Sequence, residues 1–148
     1  MAYKGRFTPK NPHKYRGDPT NIIFRSLWEL TCMRRFDENP NIIEWSSEET
    51  IVPYISPIDN RRHRYFPDFL IKTRQTDGSI KTFLVEVKPK KETIEPKPQK
   101  RKTRKYITEV MTWAKNQAKW KAAEEYCLDR GWEFLKMTED TIYGKEDK

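Results

Sequence analysis

The stretch RRHRYFPDFLIKTRQTDGSIKTFLVEVKPKKE, residues 61–92, constrains the fold more than any other part of this 148-residue chain. Two apolar, β-prone runs flank a turn. Each run carries a carboxylate in its interior, Asp68 in the first and Glu86 in the second, with Lys88 two residues later. Strands usually keep Asp and Glu out of their interiors, so these groups need a reason to be there. Side chains alternate between the faces of a strand. Thr82, Leu84, Glu86 and Lys88 therefore share one face, and Phe83, Val85 and Val87 share the other, the obvious core face. Phe66, Asp68 and Leu70 share a face in the same way.

Whether Asp68 meets Glu86 depends on the turn. A two-residue Asp77-Gly78 loop sets Asp68 opposite Val87, on the wrong face. A three-residue Thr76-Asp77-Gly78 loop, with Gly78 in the left-handed region, sets Asp68 opposite Glu86. The sequence permits both. In the second case the Cα atoms lie roughly 4.5–5.5 Å apart. Two carboxylates that close repel unless a cation lies between them. A divalent metal with oxygen ligands satisfies both, and Mg²⁺, with Mn²⁺ as a substitute, suits a site of few carboxylates plus water and phosphate. Lys88, one pleat beyond Glu86, reaches the same spot and can orient a water or stabilise developing negative charge. The bland reading is a solvated sheet face. Against it, Phe66, Leu70 and Leu84 share that face and need cover.

The remaining chain is read as αβββαβ within one domain. Residues 1–20 are basic and punctuated by Pro and Gly. They read as an extended arm pinned by Tyr3, Phe7 or Tyr15, with residues 21–148 as the domain proper. Leu27, Leu30, Met33 and Phe36 recur at helical spacing until ENPN at 38–41. A short strand follows over about Thr50–Ile55, at a sheet edge because of Pro53. Two more strands cover about 63–73 and 80–88. A Pro/Lys-rich loop occupies about 89–104. A helical pattern then runs from about Lys102 to Arg130, with Tyr106, Ile107, Val110, Met111 and Ala114 on one stripe. Asn116 can cap a second helix carrying Ala118, Ala122, Tyr126 and Cys127. Gly131 fits a helix C′ position, and WEFLKMT at 132–138 alternates as a last strand. Strands in meander followed by a helical crossover give a mixed sheet flanked by helices, an α/β architecture.

Net charge is +8. Such an excess favours a polyanion, most simply nucleic acid, through counterion release from phosphates, with a basic surface kept for solubility as the bland alternative. Arg61, Arg62 and Arg64 beside the acidic strand, and Lys100, Arg101, Lys102, Arg104 and Lys105 in the basic run, are the expected backbone contacts, along with the arm. They would position a nucleic acid without reading its sequence. Cys32 and Cys127 lack metal-ligand spacing and read as buried free thiols. No run reaches membrane-spanning length and no signal peptide is visible, so a soluble, intracellular protein is expected. His63 reads as a solvated group in a basic run or as a phosphate contact, His13 as solvated, Asn116, Gln117 and Lys119 on their own as a helix cap and a solvated face, and Trp113, Trp120 and Trp132 as core.

YFPDFLI followed by FLVEVKPKKE resembles the Pro-Asp…Glu-x-Lys signature of the PD-(D/E)XK nuclease superfamily, through Pro67-Asp68 and Glu86-Val87-Lys88. That resemblance implies a restriction-endonuclease-like αβββαβ core. It implies Asp68, Glu86 and the Val87 backbone carbonyl as metal ligands and Lys88 as the catalytic lysine. It also implies a glutamate from the first helix, which RSLWE supplies as Glu29, and a polar residue near the site where Asn116, Gln117 and Lys119 stand. Ser26-Leu27-Trp28-Glu29 equally fits a capping box, with Glu29 bonded back to the Ser26 N–H. A wider set of segments, among them MAYKGRFTPKNPHKYRGDP, NPNIIEW, EVKPKKET and KWKAAEEYCLDRGWEFLKMTED, resembles the head completion nucleases of T4-like tailed phages. More distantly they are similar to the endonuclease subunit of Tn7-type transposases. The likeness implies a metal-dependent nuclease that acts on double-stranded DNA around DNA packaging and head–tail joining. Head and neck proteins would be its partners, in the host cytoplasm or the virion. A non-catalytic DNA-binding protein at the head–tail junction is the rival reading, and a resolvase or repair nuclease of the same fold is a third.

Overall fold

The computed structural model describes residues 4–143 and contains an αβββαβ core. Helix α1 (Leu27–Glu38) is capped by Ser26, whose Oγ accepts the Glu29 N–H at 3.1 Å. Strands β3 (Ile42–Ser47), β6 (Phe69–Arg74), β7 (Ile80–Val87) and β8 (Glu133–Met137) form the central sheet in the order β3-β6-β7-β8. Helix α2 (Arg104–Arg130) is the crossover that makes β8 parallel to β7. Two ribbons complete the fold: β1 (Gly5–Phe7) with β2 (Ile22–Phe24), and β4 (Val52–Ile55) with β5 (Arg62–Tyr65). A last short helix, α3, covers Glu139–Tyr143.

The hairpin of β6 and β7 takes the three-residue loop. Leu70 pairs with Leu84 and Ile71 with Phe83. Gln75 donates to the Ser79 carbonyl at 2.8 Å across Thr76-Asp77-Gly78, and Gly78 lies at φ 88°. The next pair in this register is Asp68 with Glu86.

Four expectations are corrected. The first core strand is Ile42–Ser47. The segment expected to be that strand, Thr50–Ile55, lies instead in the outer ribbon, as Val52–Ile55. A register shift between Ile42 and Glu44 disturbs the alternation that would have announced β3. The strand expected over 63–73 is two strands. Phe66 and Pro67 break it, because proline has no N–H for the ladder. Helix α2 is continuous through Asn116, which is buried in the helix interior and caps nothing. Its sheet-facing stripe is Asn116, Trp120, Ala123 and Cys127, whereas Ile107, Val110 and Met111 are exposed. Finally, the basic opening is anchored at Phe7 and Tyr15 as expected, but it is not set apart from residues 21–148, because its strand β1 pairs with β2. Phe7 and Tyr15 pack on Trp45, and Lys14 Nζ donates to the Asp37 and Asn39 carbonyls at the end of α1, each at 2.9 Å. Tyr3 lies outside the described residues.

The sheet is covered on both faces. Met33 and Phe36 of α1 pack with Trp45, Phe69, Ile71 and Val85 on one side. Trp120, Ala123 and Cys127 of α2 pack with Leu70 and Leu84 on the other. Glu86 shares the α2 face with Leu84 and is held in a covered layer, not on a wet surface.

Candidate active site

The acidic groups gather where β6 begins and β7 ends. Pairing of the two strands stops at Phe69–Val85, so Asp68 stands just beyond the ladder. Its position is fixed by two backbone bonds: its carbonyl accepts the Glu48 N–H at 3.0 Å, and its Oδ2 accepts the Val87 N–H at 2.7 Å. Burial pushes its carboxyl well above the usual range. Glu86 adds to the rise, and Glu29 and Glu48 contribute from further off, while the Val87 bond opposes it.

Glu86 is buried. Its Oε1 accepts the Tyr65 hydroxyl at 2.5 Å, and its Oε2 lies 3.7 Å from Lys88 Nζ. Burial raises its pKa; the Tyr65 hydrogen bond and the Lys88 and Lys119 ammonium groups hold it down. Lys88 continues beside β8, its N–H donating to the Met137 carbonyl at 2.9 Å.

Glu29 is drawn from the first turn of α1 towards the same corner. Its Oε1 accepts the Arg25 N–H at 2.9 Å, so the return bond falls on Arg25 and not on Ser26 as expected. Burial raises its pKa, and Glu48 adds to that. One carboxylate oxygen thus serves the helix start while the group still feels the site's charge.

Two participants, Tyr65 and Glu48, were not singled out from the sequence, and a third, Lys119, stood there only among three polar groups weighed between a site role and a solvated helix face. Tyr65 ends β5 and delivers its hydroxyl from the ribbon to Glu86. Lys119 lies on α2 with its ammonium 5.6 Å from the Tyr65 ring centre. Burial lowers its pKa, with Lys88 acting in the same direction and Glu86 against it. Glu48 occupies a left-handed backbone conformation, φ 55°, and pairs with Arg25 at 2.6 Å. Of the three polar candidates Asn116, Gln117 and Lys119, the period of α2 sets Lys119 three residues after the buried Asn116.

Cys32 is buried beneath the corner, where burial pushes its thiol up to about 12. Cys127 is also buried and free, its thiol at about 11 for the same cause. His63 is bound to Asp59 at 2.8 Å, and His13 is exposed. Arg61, Arg62 and Arg64, and Lys100, Arg101, Lys102, Arg104 and Lys105, are all exposed. The first three lie at or within β5, the strand that ends in Tyr65. Trp120 belongs to the core and Trp132 packs against it, but Trp113 is in neither core cluster.

Among the described residues no three Asp, Glu, His or Cys side chains form a complete metal cage. The donor set at the corner is two carboxylates pressed together at an energetic cost, both pushed towards protonation by burial. A hard divalent cation relieves that cost, and oxygen donors of this kind, completed by water and phosphate, suit Mg²⁺. The residues present therefore fit such an ion.

A mixed sheet clasped between helices, with paired carboxylates and lysines at the mouth of its central hairpin, defines a restriction-endonuclease-like nuclease domain. The chain belongs to the family described as TnsA-like endonuclease N terminal, whose model matches residues 39–139. It is also similar to the head completion nuclease of Enterobacteria phage T4. The two are 43% identical over 146 residues, covering 96% of this chain and 95% of that relative.

Proposed function

We propose that this protein is a divalent-metal-dependent deoxyribonuclease that acts during completion of phage heads, with head or neck proteins as its partners. The observation that carries the reading is the register that sets Asp68 beside Glu86, with Lys88 Nζ 3.7 Å from the latter. The similarity to a head completion nuclease supports the setting.

Asp68, Glu86 and the Val87 carbonyl would hold Mg²⁺, or Mn²⁺ in its place. When bound, the ion supplies Lewis acidity towards a phosphoryl oxygen and a nearby water. The protein's own groups do the rest. Tyr65 fixes the Glu86 carboxylate by its short hydrogen bond. Lys88 orients the attacking water and offsets negative charge as the new P–O bond forms and the ester P–O bond breaks. Lys119 brings a second ammonium to the same phosphate, and Glu29 closes the corner on the α1 side. The exposed basic side chains of β5 and of residues 100–105 hold the DNA backbone, which carries no sequence information. Little sequence specificity follows.

The test is nicking of supercoiled plasmid in EDTA and after addition of Mg²⁺ or Mn²⁺. The wild type should nick only with metal, and Asp68→Ala, Glu86→Ala and Lys88→Ala should each abolish cleavage while remaining folded. A purely structural DNA-binding protein would bind in EDTA and never nick. Undiminished cleavage by Asp68→Ala would overturn the assignment.

A further inference from the structure

The ribbon of β4 and β5 has two unlike faces. Val52 pairs with Tyr65 and Tyr54 with His63, and this face turns inwards, with Val52, Tyr54 and Tyr65 buried in the layer under α2. The other face carries Pro53 opposite Arg64 and Ile55 opposite Arg62, all four exposed. The next pair in the same register is Ile51 with Phe66. These are 43% and 42% exposed, and Ile55 is 54% exposed. One ribbon face therefore gathers three large apolar side chains, a proline and two arginines, with no carboxylate among them.

The Ile51–Phe66 end of this ribbon is tied to the acidic corner. Glu48, three residues before Ile51, donates its N–H to the Asp68 carbonyl at 3.0 Å. Tyr65, from the other strand, reaches Glu86 with its hydroxyl. Phe66 lies two residues before Asp68, so their Cα atoms are at most about 7 Å apart, roughly two base-pair steps along DNA. The backbone at Phe66 is fixed from both sides, because Tyr65 and Pro67 are buried while the ring between them stands out. Single apolar residues on a surface are ordinary, but a contiguous set marks a contact surface.

The composition of the face selects the partner. Neither Arg62 nor Arg64 has a carboxylate partner among the described residues. Arg64 holds its guanidinium 5.7 Å from the centre of the Phe66 ring. The two arginines attract phosphate, whereas the apolar members cannot hydrogen-bond to base edges and so cannot read the donor and acceptor code of the major groove. Arginine joined to an apolar wedge suits the minor groove, where the cation meets negative potential and the wedge parts neighbouring base pairs.

We propose that this ribbon face enters the minor groove, and that Phe66 wedges into a base step within about two pairs of the scissile phosphate. Arg62 and Arg64 hold the phosphates at the rim. Parting a stacked step costs energy that depends on how easily the DNA deforms. The protein therefore favours DNA that is already unstacked or readily kinked, and it reads deformability, not base identity. The proposal deepens the nuclease reading and rests on it for the polymer and the place of the phosphate, and its test is made without cleavage.

The full chain in EDTA is titrated, by fluorescence anisotropy, against a short matched duplex and the same duplex with a central mismatch. The mismatched duplex should bind roughly tenfold tighter, because its step is already partly parted. A 2-aminopurine beside the mismatch should brighten on binding as it loses its stacked neighbour. Phe66→Ala should bring the two affinities together and abolish the brightening. Phe66→Leu, which keeps an apolar wedge, should retain both effects. Arg62→Gln and Arg64→Gln should weaken both duplexes alike, each flattening the plot of log affinity against log salt by about 0.9.

Equal affinity of the wild type for the two duplexes would overturn the proposal. That comparison uses unmodified protein and decides the matter even if a variant misfolds. A mismatch preference and brightening that survive Phe66→Ala would overturn it as well, and would leave this face to a protein partner. A failure of metal-dependent nicking would defeat the nuclease reading and leave these binding differences intact.

Discussion

Replacing Asp68 with asparagine should make the metal-free protein more stable while ending cleavage. The amide is nearly isosteric with the carboxylate, and its oxygen can still accept the Val87 N–H, which in the wild type reaches Asp68 Oδ2 at 2.7 Å. What disappears is a buried negative charge beside Glu86. For charges about 5 Å apart at an effective dielectric constant of about 20, the repulsion is about 3 kcal/mol. Relaxation of the side chains reduces it, so a gain of about 1–3 kcal/mol is expected, or a rise in Tm of roughly 3–9 °C for a domain of this size. The sign depends on pH. Asp68 has a raised pKa in the folded chain, so the folded state keeps a proton that the unfolded state releases. Stability from this group is fully present below the ordinary carboxylate range and is lost as pH rises through the raised value. The advantage of Asp68→Asn should therefore be largest at neutral pH and shrink towards about pH 4, near the unperturbed carboxylate value. Thermal melts in EDTA across this range measure it, and added Mg²⁺ should raise the wild-type Tm but not the variant's. A variant less stable than wild type by the same amount at every pH would refute the account of two carboxylates forced together.

Glu29→Gln should preserve stability, because an amide oxygen can still accept the Arg25 N–H, yet lower cleavage at least tenfold if the charge serves the site; melts and nicking rates read the two effects separately. Lys119→Met should leave blunt-duplex binding within about twofold but slow cleavage by about 10²-fold, a scale set by removal of one charge-stabilising group, as single-turnover rates would show. Replacing Lys100, Arg101, Lys102, Arg104 and Lys105 by Gln should weaken DNA binding across all sequences. The plot of log affinity against log salt should flatten by about 0.9 for each phosphate no longer neutralised.

The centre of the fold was legible because its determinants are local. The turn chemistry around Gly78 and strict alternation along residues 80–88 allow only two registers, and the three-residue loop is the one adopted. Strand β3 was hidden because its irregular pairing with β6 blurs the period of two. Helix α2 looked divided because Asn116 resembles a cap, whereas packing against the sheet carries the helix through it. Asp68, Glu86 and Lys88 could be proposed from spacing and motif. Tyr65 could not, because it reaches the corner from a separate ribbon, by an approach that no sequence interval encodes, and Lys119 was legible only as one of three polar candidates on the crossover helix.

Strand β7 runs between an antiparallel neighbour and a parallel one, and at Lys88 the chain is still tied to Met137. The backbone leading to the site has no free edge from which to peel. Local opening there would break hydrogen bonds on both flanks and empty two hydrophobic layers, so exchange of those amides with solvent is tied to the collapse of the whole domain. The carboxylate at 86 keeps its aim as long as the molecule survives at all, and whatever motion accompanies turnover is left to the ribbons, the loop and the long side chains around it.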